Sequence, residues 1–159
     1  MILDFSDPPT LVRKQSSSLN VLFDDVTPSH EKLAQVLRSP NTLLWLAPES
    51  VVALPSNVYI TFPSKPADVY SVGIIINEIL TREKPYTSQL QGGLSPAVIF
   101  KQICDIELRP RMQLSGQDDF TYGMNLIISD CLQNNSNSRP SLNAIAVSIT
   151  IHLLVHFFY

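Results

Sequence analysis

Apolar positions are scattered through the first 45 residues and fall into a regular helical rhythm beyond residue 66. In the early stretch, Pro8-Pro9 and Ser16-Ser17-Ser18 predict loop, because proline removes a backbone donor and serine competes for backbone partners. Leu19–Phe23 is apolar and short enough to pair as a strand. From His30 to Arg38 the spacing of Leu33, Val36 and Leu37 predicts a brief helix, stopped by Ser39-Pro40. A second punctuated region, Pro55 through Pro63, predicts loop.

The strongest helical signal comes next. Pro66 suits a first turn, Asp68 complements the positive helix start, and Val69, Val72, Ile76, Ile79 and Leu80 keep helical spacing. Ile74 and Ile75 add apolar surface on the other sides, so this helix is expected to be largely surrounded by protein. After breaks at Pro85 and Gly92-Gly93, Ser95-Pro96 opens a helix to about Ile106 that carries Val98, Ile99 and Ile103. Asp118-Asp119 can cap another, with Phe120, Met124, Ile127, Ile128 and Cys131 on one face. A last helix is expected from near Pro140, containing Leu142, Ile145 and Ile149. No alternating strand pattern occurs past residue 60, so the last two-thirds reads as all-α.

The tail from Leu142 to Tyr159 holds no Asp, Glu, Lys or Arg across 18 residues, the lower edge of the ~17–25 that span a bilayer. Asn143, Ser148, Thr150, His152 and His156 oppose insertion, so a buried terminal helix is expected, with a membrane span as the lesser alternative. His152 and His156 stand at i, i+4, a spacing that can place two imidazoles on a metal. With no third ligand in view, the pair reads as incidental.

Composition narrows the classes. Hydrophobic residues at 45% and charged residues at 16% argue for a packed core and against disorder. A net charge of −3 gives no electrostatic case for nucleic acid or for an acidic membrane face. Cys104 and Cys131 are too few for a disulfide scaffold and lie in apolar helical patterns, which predicts buried free thiols. The start, Met1-Ile2-Leu3-Asp4-Phe5, lacks a basic region followed by an apolar run, so no secretory signal is expected.

Three segments carry a resemblance. Leu44-Trp45-Leu46-Ala47-Pro48-Glu49 resembles the A-P-E motif that closes a kinase activation segment. Asp68-Val69-Tyr70-Ser71-Val72-Gly73-Ile74 is similar to the start of the central helix of the kinase C-lobe, and Arg139-Pro140 to the Arg-Pro before its last helix. Their order and separations are those of the family. Leu43-Leu44-Trp45 before Ala-Pro-Glu, Gly73-Ile74-Ile75 and Leu94-Ser95-Pro96 further resemble the kinase-homology domain of receptor guanylate cyclases. The resemblance covers about Ile2 to Ile149.

That resemblance implies a mainly α, protein-kinase-like C-lobe (activation segment plus helix bundle), with the N-lobe absent. The parts would be an activation-segment-like region over 1–49, kinase-like C-lobe helices over 50–150 and an apolar C-terminal extension over 151–159. It also implies a buried ion pair between Glu49 and Arg139, Asp68 as an anchor for the catalytic-loop backbone, and Trp45 packing the loop onto the helices. Asp4-Phe5-Ser6 falls where the metal-binding D-F-G motif would, with Ser6 replacing its glycine, so Asp4 is a candidate vestigial metal or nucleotide ligand.

Phosphoryl transfer requires more: a Gly-rich loop, a strand lysine, a catalytic-loop aspartate and a metal-binding asparagine. All would precede Asp4, and no Gly-x-Gly-x-x-Gly occurs anywhere, so no phosphoryl transfer is expected of this chain and no catalytic residue is assigned. For the full-length family the resemblance implies ATP as an allosteric ligand, Mg, a cyclase domain or second kinase-like protomer as partner, and a place on the cytoplasmic side of the plasma membrane through the parent receptor. The expected role is therefore a regulatory module of an enzyme that makes cyclic GMP from GTP. The alternatives are a fragment of an active ATP-dependent kinase, or a truncated product without function. Ser16, Ser17, Ser18, Thr27 and Ser29 are conceivable phosphorylation sites that plain loop serines explain equally well.

Overall fold

A computed structural model describes residues 35–36, 39–54, 59–112 and 119–158. All belong to one unit, Leu33–Tyr159. Expectations for Asp4, Leu19–Phe23, Ser16–Ser18, Thr27 and Ser29 lie outside the described residues.

The fold begins with a small antiparallel sheet. Strand β1 is Gln35–Val36, β2 Val51–Ala53 and β3 Tyr59–Thr61, in spatial order β1-β3-β2. Val36 and Val52 both lie opposite Ile60, and Thr61 lies between Gln35 and Val51. This corrects two sequence expectations. Gln35-Val36 is strand rather than part of a helix, because three apolar positions are a weak periodicity and an extended partner is present in β3. The punctuated stretch also holds a strand: Tyr59-Ile60-Thr61 is an aromatic and β-branched triplet that pairs on both sides, with Ile60 buried.

Two short 3-10 turns, Pro40–Trp45 and Pro48–Ser50, lead into β2 and bury Leu43, Leu44 and Ser50. Helix α1 then runs from Lys65 to Thr81. The Ser64 side chain accepts from the Ala67 amide at 3.2 Å, and Pro66 occupies the first turn, where a missing N–H costs nothing. The helix ends at Arg82, whose φ of 57° is left-handed. Helix α2, Thr87–Gln91, is one short piece without apolar periodicity. Ser95 caps α3, Pro96–Asp105, accepting from the Val98 amide. Helix α4 is Asp119–Cys131, and α5 is Leu142–Phe158, opened by the Ser141 hydroxyl accepting from Ala144.

Helix α1 is the hub, but not by the face its isoleucines suggested. It buries Ala67, Val69, Tyr70, Gly73, Ile74 and Asn77, while Ile75 and Ile79 are exposed, the latter by 67%. Small residues decide this. A Cβ on Gly73 would stand 2.6 Å from the Cβ of Cys131, so only glycine lets α1 and α4 approach along that line. Around it, Ala47, Ala67, Tyr70, Ile74, Ile128 and Leu132 form one core cluster, and Val69, Met124, Ile127, Cys131 and Ile145 another. A third cluster joins Leu43 and Leu44 to Tyr86, Ile99, Phe100 and Ile103.

The expectation of a buried terminal helix is corrected. Helix α5 docks on α4 by one stripe, with Ile145 buried and Ile149 partly so, and leaves Leu142, Val147, Ile151 and Leu153 to Val155 exposed. One stripe is all that a single neighbouring groove can cover. The helix runs unbroken across residues 150 and 151. Among the described residues no helix is long and apolar enough to cross a membrane.

The cysteines separate. Cys131 is buried between α1 and α4, whereas Cys104 is exposed near the end of α3, correcting the expectation that both are buried. Burial pushes the Cys131 thiol up to about 11. The Cys104 thiol is also raised, by partial desolvation and then by the adjacent Asp105 carboxylate. An unfolded thiol ionises near ~8.5, so above that pH the unfolded chain loses a proton that folded Cys131 keeps. Stability is therefore expected to fall as pH rises from about 8.5 towards about 11 and to be unaffected by this thiol below that window. Chemical denaturation at stepped pH on wild type and Cys131→Ala checks it: the alkaline slope should shrink in the variant. In the same samples a thiol-reactive dye should label Cys104 in the folded state and Cys131 only on unfolding.

Candidate functional site

Two of the residues with assigned roles, Glu49 and Arg139, meet at the start of α1. Glu49, in the turn before β2, and Arg139, in the bend before α5, are 90 positions apart and meet in a two-pronged ion pair. Arg139 Nη1 donates to Glu49 Oε1 at 2.6 Å and Nη2 donates to Oε2 at 2.9 Å. Nη1 also reaches the Pro66 carbonyl at 2.9 Å, and Nε the Gln133 carbonyl at 2.8 Å. One guanidinium thus ties together the loop, the first turn of α1 and the end of α4. Its side chain is fully buried, while that of Glu49 is 34% exposed. A planar fork meeting a carboxylate in this way is geometry that lysine cannot reproduce.

Tyr70 is the residue beside the pair that sequence reasoning gave no role. Its ring is fully buried, with the Arg139 guanidinium 5.1 Å from its centroid and that of Arg109 5.5 Å away. Burial raises its phenol above the ordinary value, against the lowering pull of Arg109 and Arg139. Tyr86 is likewise raised by burial. Arg109 mirrors Arg139: its Nε donates to the Leu132 carbonyl at 2.9 Å and its Nη1 to the Leu108 carbonyl at 3.0 Å. Two arginines therefore bond the carbonyls that follow α4, and both lie close to one aromatic ring. Tyr70 lay inside a recognised motif, but nothing in the spacing marked Arg109.

Trp45 packs between two of the core clusters and donates its indole N–H to Glu78 Oε2 at 2.9 Å. Glu78 was another residue without a sequence signal. Asp68 is exposed in the first turn of α1. The catalytic-loop backbone that it would anchor is not among the described residues. The two histidines of α5 are packing groups: a Cβ on Gly123 would strike the His152 ring at 2.1 Å, and the His156 ring lies 4.9 Å from that of Phe120.

The arrangement holds the loop, the first turn of α1 and the end of α4 in place. Among the described residues no group of three or more His, Cys, Asp or Glu is placed to hold a metal. Asp4, the candidate ligand, lies outside them. A cleft lined by Arg109, Met112, Gln133 and Asn134 offers about 180 Å³, below the ~300–1,000 Å³ of small-molecule sites. This cleft is too small for a nucleotide with its metal.

Comparison with known proteins agrees with the fold. The protein kinase domain family matches residues 26–150, and the chain belongs to that family. It is 35% identical over 104 residues to the dual specificity protein kinase shkD of Dictyostelium discoideum, covering 65% of the chain and 12% of the relative. With the mitogen-activated protein kinase kinase kinase dlk-1 of Caenorhabditis elegans it shares 30% over 145 residues, 89% of the chain and 14% of the relative. It is also similar to the receptor-type guanylate cyclase gcy-19 of Caenorhabditis briggsae, at 28% over 106 residues, 64% of the chain and 8% of the relative. The chain spans a small fraction of the length of each. Its fold is that of a kinase-like helical lobe.

Proposed function

We propose that this chain is a regulatory, non-catalytic kinase-homology module of a receptor guanylate cyclase, passing conformational change to a domain that makes cyclic GMP from GTP. The observation that carries this reading is where the buried charge goes. Arg139 spends its guanidinium on Glu49 and on two carbonyls of the helical lobe, which makes the loop and the helices one mechanical piece. Trp45 and Glu78 add a second tie between them. The sequence around these ties, Leu43-Leu44-Trp45 and Leu94-Ser95-Pro96, resembles that family, and gcy-19 is among the relatives. In this role the module lies on the cytoplasmic side of a membrane, its parent receptor supplies the anchor and the cyclase, and ATP with Mg acts through parts beyond the described residues.

A second reading is a piece of an active protein kinase, favoured by the higher identities to shkD and dlk-1. One measurement tests the non-catalytic reading of this chain, and a second separates the two parents. The purified chain, incubated with Mg-ATP labelled at the γ-phosphate and a general acceptor protein, is expected to transfer no label; transfer abolished by heating would overturn the non-catalytic reading. The product of the complete transcript, expressed in cells, is expected to raise cyclic GMP. A product that phosphorylates protein and makes no cyclic GMP would establish the kinase instead.

A further inference from the structure

Beyond Tyr70, near its C-terminal end, α1 buries an amide. Asn77 is 3% exposed, on a helix whose other buried residues are Ala67, Val69, Tyr70, Gly73 and Ile74. Its Oδ1 has no hydrogen-bond partner among the described residues, and a buried acceptor left so loses its hydration without return. Asn77 lines a niche with about 20 Å³ of water-accessible space, walled by the loop from Glu83 to Gln89 and by Pro110 and Arg111. Two hydroxyls at that wall are committed elsewhere. Thr81 donates to the main-chain carbonyl of Asn77 at 2.7 Å, and Thr87 to that of Lys84 at 2.7 Å. Neither has a hydrogen left for the Asn77 side chain.

We propose that this niche is a water site, in which one water molecule donates to the Asn77 amide oxygen and pins the 83–89 loop to α1. Size selects the occupant: a single water needs ~10–15 Å³ of such space, so the niche takes one and is short of two. Charge argues against a simple ion, since Lys84 and Arg111 at the wall repel a cation and Glu83 repels an anion. Hydrogen bonding fits as well. Water both donates and accepts, so it serves the amide in either orientation. Ser88, Gln89 and Arg111 stand at the same wall, and a buried water takes about two to four polar partners. The loop also needs a tie. Arg82 and Tyr86 hold left-handed backbone, with φ of 57° and 60°, which residues other than glycine keep only where their surroundings enforce it. The inference holds whether the parent is a cyclase or a kinase.

Water-selective NOE and ROE spectra of the isotope-labelled 159-residue chain test it. Peaks of opposite sign in the two spectra, from water to the Asn77 side-chain amide protons, are expected; they mark a water held far longer than surface solvent. Peaks of one sign, or none, overturn the proposal. Thr81→Val removes a neighbouring hydroxyl that can relay such a signal, and the peaks should survive it; their loss would assign them to the hydroxyl and overturn the water site. Asn77→Leu, close in size and without a polar group, tests the tie through hydrogen exchange. The amides of Glu83 and Leu90, bonded to Thr81 Oγ1 and to the Tyr86 carbonyl, should exchange about tenfold faster relative to that of Ile145 in α5. Asn77→Ala repeats the comparison should Asn77→Leu lose its helical circular dichroism. Unchanged rates, or equal acceleration at all three amides, would show that nothing at Asn77 holds the loop, and the inference would fail.

Discussion

Arg139→Ala is expected to destabilise the fold by about 3–5 kcal/mol, the cost of removing one partner from a buried ion pair. The guanidinium leaves behind more than Glu49. The carbonyls of Gln133 and Pro66 lose their donor, and Tyr70 loses one of its two cationic neighbours. Glu49→Ala should cost less, about 2 kcal/mol, for two reasons that the geometry supplies. The stranded arginine keeps both carbonyls and the ring, and the lost carboxylate was partly solvated already. The double variant should fall short of the sum by about 1–3 kcal/mol, because the ion pair can be lost only once. Urea denaturation of the four proteins measures this cycle. Strict additivity would mean that the contact contributes nothing to stability, and the account of the clamp would fail.

Gly73→Val is the second large effect. In an exposed helix, replacing glycine with alanine gains about 1 kcal/mol of propensity. Here the gain is overwhelmed, because the new Cβ would stand 2.6 Å from the Cβ of Cys131 and 3.1 Å from the Leu132 side chain. A Cβ is fixed to its backbone and cannot turn aside, so α1 and α4 must separate and loosen the two clusters they share. Even Gly73→Ala is expected to lose about 1–3 kcal/mol, and valine more. Gly123→Ala is the informative contrast. The obstructing group there is the His152 ring, the far end of a side chain that can rotate away. Its melting temperature should stay close to wild type, while α5 becomes more sensitive to limited proteolysis. Equal losses at the two glycines would show that helix approach is not what they serve.

How much of this was legible in the letters depends on the range of the signal. Helices α1, α3 and α4 announced themselves through local spacing, and the proline at the start of α1 and the Ser95 cap of α3 stand where the pattern put them. Strand pairing did not, since Gln35 and Thr61 find each other across 26 positions and neither segment alternates. The face of α1 was misjudged because counting isoleucines weighs volume, whereas the packing follows the glycine that permits contact. The likeness to known kinases, not periodicity, picked out Glu49 and Arg139; no local rule links residues so distant. Arg109, Tyr70 and Glu78 act through contacts that arise only once α1 is surrounded. The exposure of α5 could not be read either, because an apolar run says that a surface wants cover without saying whether this chain supplies it.

Trp45 is the sole tryptophan of the chain, and it lies at the joint where the loop meets α1, its indole hydrogen-bonded to Glu78. The molecule therefore carries a built-in optical gauge of that joint. Light emitted on excitation near the red edge of protein absorption comes from this one ring, and its colour reports whether water has reached the seam between loop and helix. Trp45 packs on two core clusters and the α5 stripe on a third, so loosening confined to α5 would leave that colour alone, and a single cuvette can tell a detached loop from a frayed end.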